Sequence, residues 1–360
     1  MPKLLAQTKH YKVTRKLRQV VSSMQPGEQM PTAAELKKIT RASHGTVIRA
    51  LNTLSSDGLL YRPTGKMRYI VNSLTERPLV KLCYISHDYT SAMANDFMSN
   101  LYKKCKQKNW KFERKTFSDI NNFDFNRLAG DNDAVIFLPP SEDFPDRLTR
   151  TLQKPNQPTV VLMQHSDIEG IGNIAVDDEY CGRLAVKALA EKGHRRILLI
   201  NDQPRESTVK AREKGWRDEM TRLFGEAPDD LIFNTGVKSY ENSLMTAYQS
   251  FKKYLEEYGH KHFSAIFTTS MSGAIAATRC FREAGIKVPE EVSIIAFSGE
   301  SGICDFLYPR LTNISVRLDN YCSIAIDVLE KMLKDPLYKQ NKILLPVQLN
   351  HGDSVMPCNG

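Results

Sequence analysis

Apolar residues recur at helical spacing through the first sixty positions, and the pattern then changes twice. Val13, Leu17, Val20, Val21 and Met24 predict a helix from about Thr8 to Ser23, closed by Gln25-Pro26-Gly27. Thr32 with Glu35 three residues on is a capping box that opens a short helix, with Leu36 and Ile39 on its inner face. A tight connection through Thr40-Arg41-Ala42 leads to Ser43, which can cap another helix running to about Ser56. Val47, Ala50, Leu51 and Leu54 form its inner face, leaving His44, Gly45, Thr46, Ile48, Arg49 and Asn52 outside. Asp57-Gly58 stops it, and the runs 60–62 and 66–71 read as two strands around Pro63-Thr64-Gly65. Two short helices joined by a tight turn and followed by a basic hairpin describe a winged helix-turn-helix (α+β).

After a polar stretch closed by Pro78, short apolar strands alternate with amphipathic helices, the texture of parallel sheets in α/β domains. Strands are predicted at 80–85, 134–138, 159–163, 197–200, 265–268 and 292–297, and helices near 96–108, 180–192, 209–224, 239–258, 272–284 and 320–333. Some 280 residues of this pattern are too many for an ordinary single domain, and two doubly wound lobes accommodate them. The predicted division is 1–72 as a DNA-binding domain, 73–78 as a linker, and 79–360 as a two-lobed domain.

Charge sharpens this division. Residues 1–81 hold fifteen Lys and Arg against four Asp and Glu, a net +11 where the whole chain is +9, so the other 279 residues sum to −2. A basic module on a near-neutral body is the footprint of a phosphate-binding domain, here for double-stranded DNA. Base contacts are expected from Ser43, His44, Thr46 and Arg49, with Thr32, Lys66 and Arg68 beside them. The plainer alternative is a small helical subdomain whose charges form a solvated face.

The run from Met30 to Leu36, the run Ser43 to Leu51, then Asp57 to Leu60 and the Gly65-Lys66 hairpin resemble the winged helix-turn-helix of GntR-type regulators over residues 8–72. Ala33, Ala34, His44 and Ile48 stand where that family carries Glu, Arg, Arg and Arg, which removes its usual guanine contacts. Residues 173–186, Gly193-His194-Arg195-Arg196-Ile197, Arg212 to Trp216, 283–297 and 309–314 resemble the effector-binding core of LacI-type regulators, itself similar to periplasmic sugar-binding proteins. The combined architecture is similar to that of arabinose-responsive repressors. The resemblance implies a two-lobed periplasmic-binding-protein-like α/β effector domain. It also implies a homodimer, a pseudo-palindromic operator, and repression controlled by a small polar, sugar-like ligand.

Ligands in such lobes sit beyond the carboxyl ends of the strands. His87, Asp88, Tyr89, His165, Arg212, Ser270, Ser298 and Glu300 are the candidates for contact, with Asp167 and Asp202 at neighbouring strand ends. Arg212 falls where the family's ligand-contacting Arg falls. Ser270-Met271 and Ser298-Gly299 replace the family's Asn-Asp and Asp-Asp, so the cleft has either changed ligand or lost ligand control and serves for dimerisation. Asp177 matches a frequent family Asp and caps the helix near Tyr180 equally well.

Other chemistry is thin. No cofactor, metal or catalytic residue is assigned: Ser298 to Gly302 lacks the spacing of a nucleophile elbow, and Thr64-Gly65-Lys66 lacks the upstream glycine of a phosphate loop. His260-Lys261-His262 reads as a solvated loop. Seven scattered cysteines favour reduced thiols. No apolar run reaches the length of a membrane span, and the start lacks a secretory signal, so a cytoplasmic protein is expected. A transport-type binding protein or an enzyme on the same scaffold remain as other readings.

Overall fold

The computed structural model describes residues 9–72, 80–88, 92–299, 302–335, 338 and 342–358. The expected linker at 73–78 and two expected ligand residues, Tyr89 and Glu300, lie outside them.

The N-terminal unit packs α1 (Lys9–Ser22), α2 (Ala33–Thr40) and α3 (His44–Ser56) against an antiparallel pair, β1 (Leu60–Tyr61) and β2 (Ile70–Val71). Its core is Leu17, Leu36, Val47, Leu54 and Val71, with Val13, Ala50 and Leu51 around them. The capping box forms as expected: Thr32 N donates to Glu35 Oε2 at 2.7 Å, and Glu35 N donates to Thr32 Oγ1 at 3.3 Å. Arg41, at φ 53°, turns the chain in the left-handed region between α2 and α3. Two expectations fail here. Ile39 is 42% exposed, because the eight-residue α2 reaches the core through Leu36. The second strand spans only Ile70–Val71, since Lys66, Met67 and Arg68 are exposed and offer no apolar face to pair over. Its other edge meets residues 28–30 instead, with Val71 N donating to Glu28 O and Met30 N to Tyr69 O, both at 2.9 Å.

Lobe 1 starts with β3 (Lys81–His87), α4 (Ala92–Gln107), β4 (Lys111–Phe117), α5 (Phe125–Ala129), β5 (Ala134–Leu138), α6 (Asp146–Gln153), β6 (Thr159–Leu162) and β7 (Gly172–Val176). The chain crosses into lobe 2 through α7 (Asp178–Ala190), β8 (Ile197–Asn201), α8 (Ser207–Phe224), β9 (Ile232–Asn234), α9 (Ser243–Tyr258), β10 (Ala265–Thr268), α10 (Met271–Glu283), β11 (Ser293–Phe297) and β12 (Thr312–Ser315). It returns to lobe 1 for α11 (Leu318–Lys334) and β13 (Ile343–Leu345), and crosses a third time to β14 (Gln348–Asn350).

The sheet orders are β13-β7-β6-β5-β3-β4 in lobe 1 and β14-β12-β11-β10-β8-β9 in lobe 2. The pairs are parallel except β12 with β14. Central strands such as β5 and β8 are buried throughout, as apolar runs covered by helices on both faces must be. β4, Lys-Phe-Glu-Arg-Lys-Thr-Phe, escaped the pattern because it is an edge strand whose charges stay in water. Parallel strands place their carboxyl ends at one end of each sheet, so the carboxyl ends of β3, β6, β8, β10 and β11 are the ones that border a cleft between the lobes.

Candidate functional site

The cleft is organised around a carboxylate that sequence reading passed over. Asp177 caps α7, accepting Tyr180 N at 2.9 Å, which leaves Asp178 in the first turn and fully buried. Arg212 on α8 donates from Nε to Asp178 Oδ1 at 2.7 Å and from Nη1 to Thr269 O at 2.6 Å. Its guanidinium lies 3.8 Å from the centre of the Phe297 ring. The other oxygen, Asp178 Oδ2, is 2.8 Å from His165 Nε2. His165 follows β6 in lobe 1 and Arg212 belongs to lobe 2, so one carboxylate ties the two lobes together. Arg212 is therefore a buried, paired and stacked side chain rather than an open fork; a buried cation needs such partners.

Further ties flank this one. Ser207 Oγ of lobe 2 donates to Gln164 Oε1 of lobe 1 at 3.2 Å, and Gln164 is held by Glu142 O at 2.7 Å and by Asn173 Nδ2 at 2.9 Å. Tyr240, from the loop between β9 and α9, packs on the apolar cluster of Phe117, Phe125 and Phe137 and accepts Ile120 N at its hydroxyl. Burial pushes its phenol up to about 12, against the opposing hydrogen bond from Ile120.

The remaining candidates divide. His87 ends β3 and is buried, whereas Asp88 is exposed. Ser270 caps α10: its hydroxyl and backbone N–H both bond Asp202, which also accepts Thr269 Oγ1 at 3.0 Å and Gly273 N at 2.7 Å. Burial drives the Asp202 carboxyl up, although these four donors pull the other way. A methyl at Gly273 would stand 2.7 Å from Asp202 Cγ, so the glycine is what admits the carboxylate. Asp202 and Ser270 thus build a helix terminus. Ser298 Oγ donates to Asn313 Oδ1 at 2.9 Å, and Asp167 reaches outward toward Lys342 at 3.8 Å. His260 and His262 part company as well: His262 Nε2 bonds the Tyr254 hydroxyl at 2.6 Å and His260 faces Glu291 at 3.8 Å. Behind the cleft, a cavity of about 120 Å³ lies between the crossing segments at Val316, Arg317, Asn320 and Leu345, well short of the ~300 Å³ a drug-sized ligand needs.

On the basic unit, the first two turns of α3 expose His44, Gly45 and Arg49, and Ser43 is exposed at the cap. Arg49 is held lightly, Nε to Gly45 O at 3.4 Å. Thr46 departs from expectation. It is only 6% exposed and its hydroxyl lies 2.8 Å from that of Ser43, because the N-cap draws it under the helix start. Ile48, also expected outside, is half-buried against the unit's core. Thr32 spends its hydroxyl on the capping box, donating to Glu35 Oε2 at 2.7 Å. Lys66 and Arg68 are exposed, Gly65 turning the loop at φ 78°, and the Tyr69 hydroxyl donates to Asn52 Oδ1 at 2.5 Å, which fixes this loop against α3.

Residues 186–355 match the family model of a periplasmic binding protein-like domain. The ribose operon repressor of Escherichia coli is 26% identical over 208 residues, which is 56% of this chain; the match spans 58% of that repressor's length. Catabolite control protein A of Staphylococcus xylosus is 23% identical over 331 residues, 88% of this chain and 90% of that protein. A solved LacI family transcriptional regulator from Enterococcus faecium with bound ribose superposes with TM-score 0.64 at 20% identity, over 78% of this chain and all of that one. The two lobes are a periplasmic-binding-protein-like α/β fold. Among the described residues, no helix is long and apolar enough to cross a membrane.

Proposed function

We propose that this chain is a cytoplasmic, sequence-specific DNA-binding repressor whose two lobes sense a small polar, sugar-like ligand, and that it works as a homodimer on a pseudo-palindromic operator. The observation that carries this is the exposed start of α3, with His44, Gly45 and Arg49 free of the core, on a unit whose residues 1–72 carry a net +10, joined to a two-lobed binding fold. The short β1–β2 pair and the Lys66–Arg68 loop after α3 support a winged helix-turn-helix of GntR type. The names of the relatives, a ribose operon repressor and a ribose-bound regulator, support repression and a sugar-like ligand. Binding alone accounts for this architecture. A dimer follows from paired half-sites.

The test is a band shift with DNA from upstream of the chain's own gene, run with sedimentation at micromolar concentration. Retention of a discrete fragment by a dimer supports the reading. A monomer that binds random and upstream DNA alike overturns it.

A second reading, in which the lobes serve only for dimerisation, draws on Asp178 occupying Arg212. A thermal-shift screen over monosaccharides, oligosaccharides, sugar acids and nucleosides decides between the two. A sensor yields a ligand that raises the melting temperature and changes operator affinity, and a frame yields none.

A further inference from the structure

Where the basic unit meets lobe 1, four charged side chains of alternating sign are packed out of water. Arg18 on α1 is 2.5 Å from Asp57 at the end of α3 and 3.3 Å from Asp133 just before β5. Lys81, the first residue of β3, is 2.9 Å from Asp57 and 3.7 Å from Asp131, and its backbone N–H donates to Asp133 Oδ2 at 2.9 Å. The side chains of Arg18, Asp57, Lys81 and Asp133 are each less than a fifth exposed. Burial opposes ionisation of Asp57, yet Lys81 and Arg18 outweigh it and hold its carboxyl below the usual range. A second attachment leaves α1 at the next residue and reaches a different element of lobe 1: Gln19 Nε2 donates to Leu333 O at 2.7 Å, satisfying a carbonyl that the last turn of α11 leaves without a helical partner.

We infer that the Arg18–Asp57–Lys81–Asp133 quartet, with Gln19 on α11, docks the DNA-reading unit rigidly on lobe 1, so that lobe 1 sets the orientation of α3 and thereby the half-site spacing the dimer accepts. Three features support this. The contacts leave the unit from α1, through Arg18 and Gln19, and from the end of α3, through Asp57, and they reach lobe 1 at β3, before β5 and on α11, a spread that one ion pair on a flexible stem does not have. The docked arrangement leaves His44, Gly45 and Arg49 exposed, so it orients the reading face without covering it. β3 carries Lys81 at its start and His87 at its cleft end, seven residues or about 20 Å of hydrogen-bonded central strand between the quartet and the cleft. The direction of α3 is thereby tied to the lobe that carries half of the cleft. This inference rests on the DNA-binding reading.

The test uses the full chain with spin labels on genetically encoded residues at exposed Lys38 on α2 and exposed Arg150 on α6, and reads their distance without DNA. Wild type and Lys81→Arg should give one narrow distribution, and Lys81→Glu, which turns Asp57's partner into a like charge, a broad one. Lys81 lies in lobe 1, so the reading unit keeps its own core; Arg18→Glu, with helix content followed by circular dichroism, is the companion variant. On operator DNA, inserting two base pairs between the half-sites turns one against the other by about 70°. Wild type should lose at least tenfold in affinity, and Lys81→Glu less than threefold. A wild-type distribution as broad as that of Lys81→Glu overturns rigid docking, as does a Lys81→Glu variant that keeps the wild-type spacing preference. A narrow distance in a chain that binds no DNA leaves the docking standing and refutes the DNA-binding reading instead.

Discussion

Gly182 on α7 and Gly215 on α8 face each other across a helix crossing so close that neither position has room for a side chain. A methyl at Gly182 would stand 2.1 Å from Arg212 O, and one at Gly215 would stand 1.9 Å from Glu179 O. The obstacles are backbone atoms, which cannot swing away. This contact brings Asp178 in the first turn of α7 within reach of Arg212 in the second turn of α8, so the two glycines build the lobe-bridging carboxylate site from behind.

Gly215→Ala should therefore cost about 3 kcal/mol or more in unfolding free energy, the upper part of the range for overpacked cores. Urea denaturation measures it. An alanine tolerated within 1 kcal/mol, on the same approximate scale, would mean that α7 and α8 part without penalty and that the crossing does not position Arg212.

Asp178→Asn leaves the Arg212 guanidinium buried without its anion, and a loss of about 3 to 5 kcal/mol is expected. Arg212→Ala removes the cation and its stacking on Phe297, and should loosen the two lobes relative to each other. Small-angle scattering of that variant should record a larger radius of gyration than wild type. Unchanged scattering would place closure in Tyr240 and Ser207 rather than in this ion pair.

On DNA, Arg49→Ala should weaken operator binding by about 1 to 3 kcal/mol and relax the preference at one base pair, the result of losing a bidentate base contact. Thr46→Val should leave base preference intact, because that side chain lies under the helix start, and should lower stability by about 1 kcal/mol through the lost bond with Ser43. Equal losses on operator and random DNA for Arg49→Ala would reassign it to phosphate contact.

His194 carries a pH dependence with a definite sign. Its Nε2 lies 3.0 Å from Met356 O and its Nδ1 2.9 Å from Ser264 Oγ. A carbonyl can only accept, so Nε2 holds the proton and Nδ1 accepts from the serine in the neutral ring. Burial lowers the pKa of this histidine, although the bond to Met356 O opposes it. A histidine whose folded pKa lies below the unfolded value of about 6.5 contributes full stability above that pH and loses it as the pH falls toward the folded value. The melting temperature of wild type should fall from pH 7 to pH 5.5 more steeply than that of His194→Gln. Parallel curves would mean that His194 does not control the acid limb.

The sequence by itself determined the features that depend on near neighbours. The Thr32–Glu35 capping box, the Ser43 cap, the inner face of α3 and the buried central strands follow from residues one to seven positions apart. The concentration of positive charge in the first 81 residues is likewise a property of the list of residues. Tertiary structure decided the rest. The charged edge strand β4 and the short β7 and β12 are strands only because a neighbour pairs with them. Arg212 was legible as a cleft residue, but its partner Asp178 lies 34 positions away and was overshadowed by the capping Asp177. Nothing local marks Arg18, Asp57, Lys81 and Asp133 as one cluster, since each reads as an ordinary solvated charge until packing excludes water around all four. Local propensity acts through bonded neighbours and hydrogen bonds within a turn or two. Burial and long-range pairing exist only once the fold has set which surfaces meet.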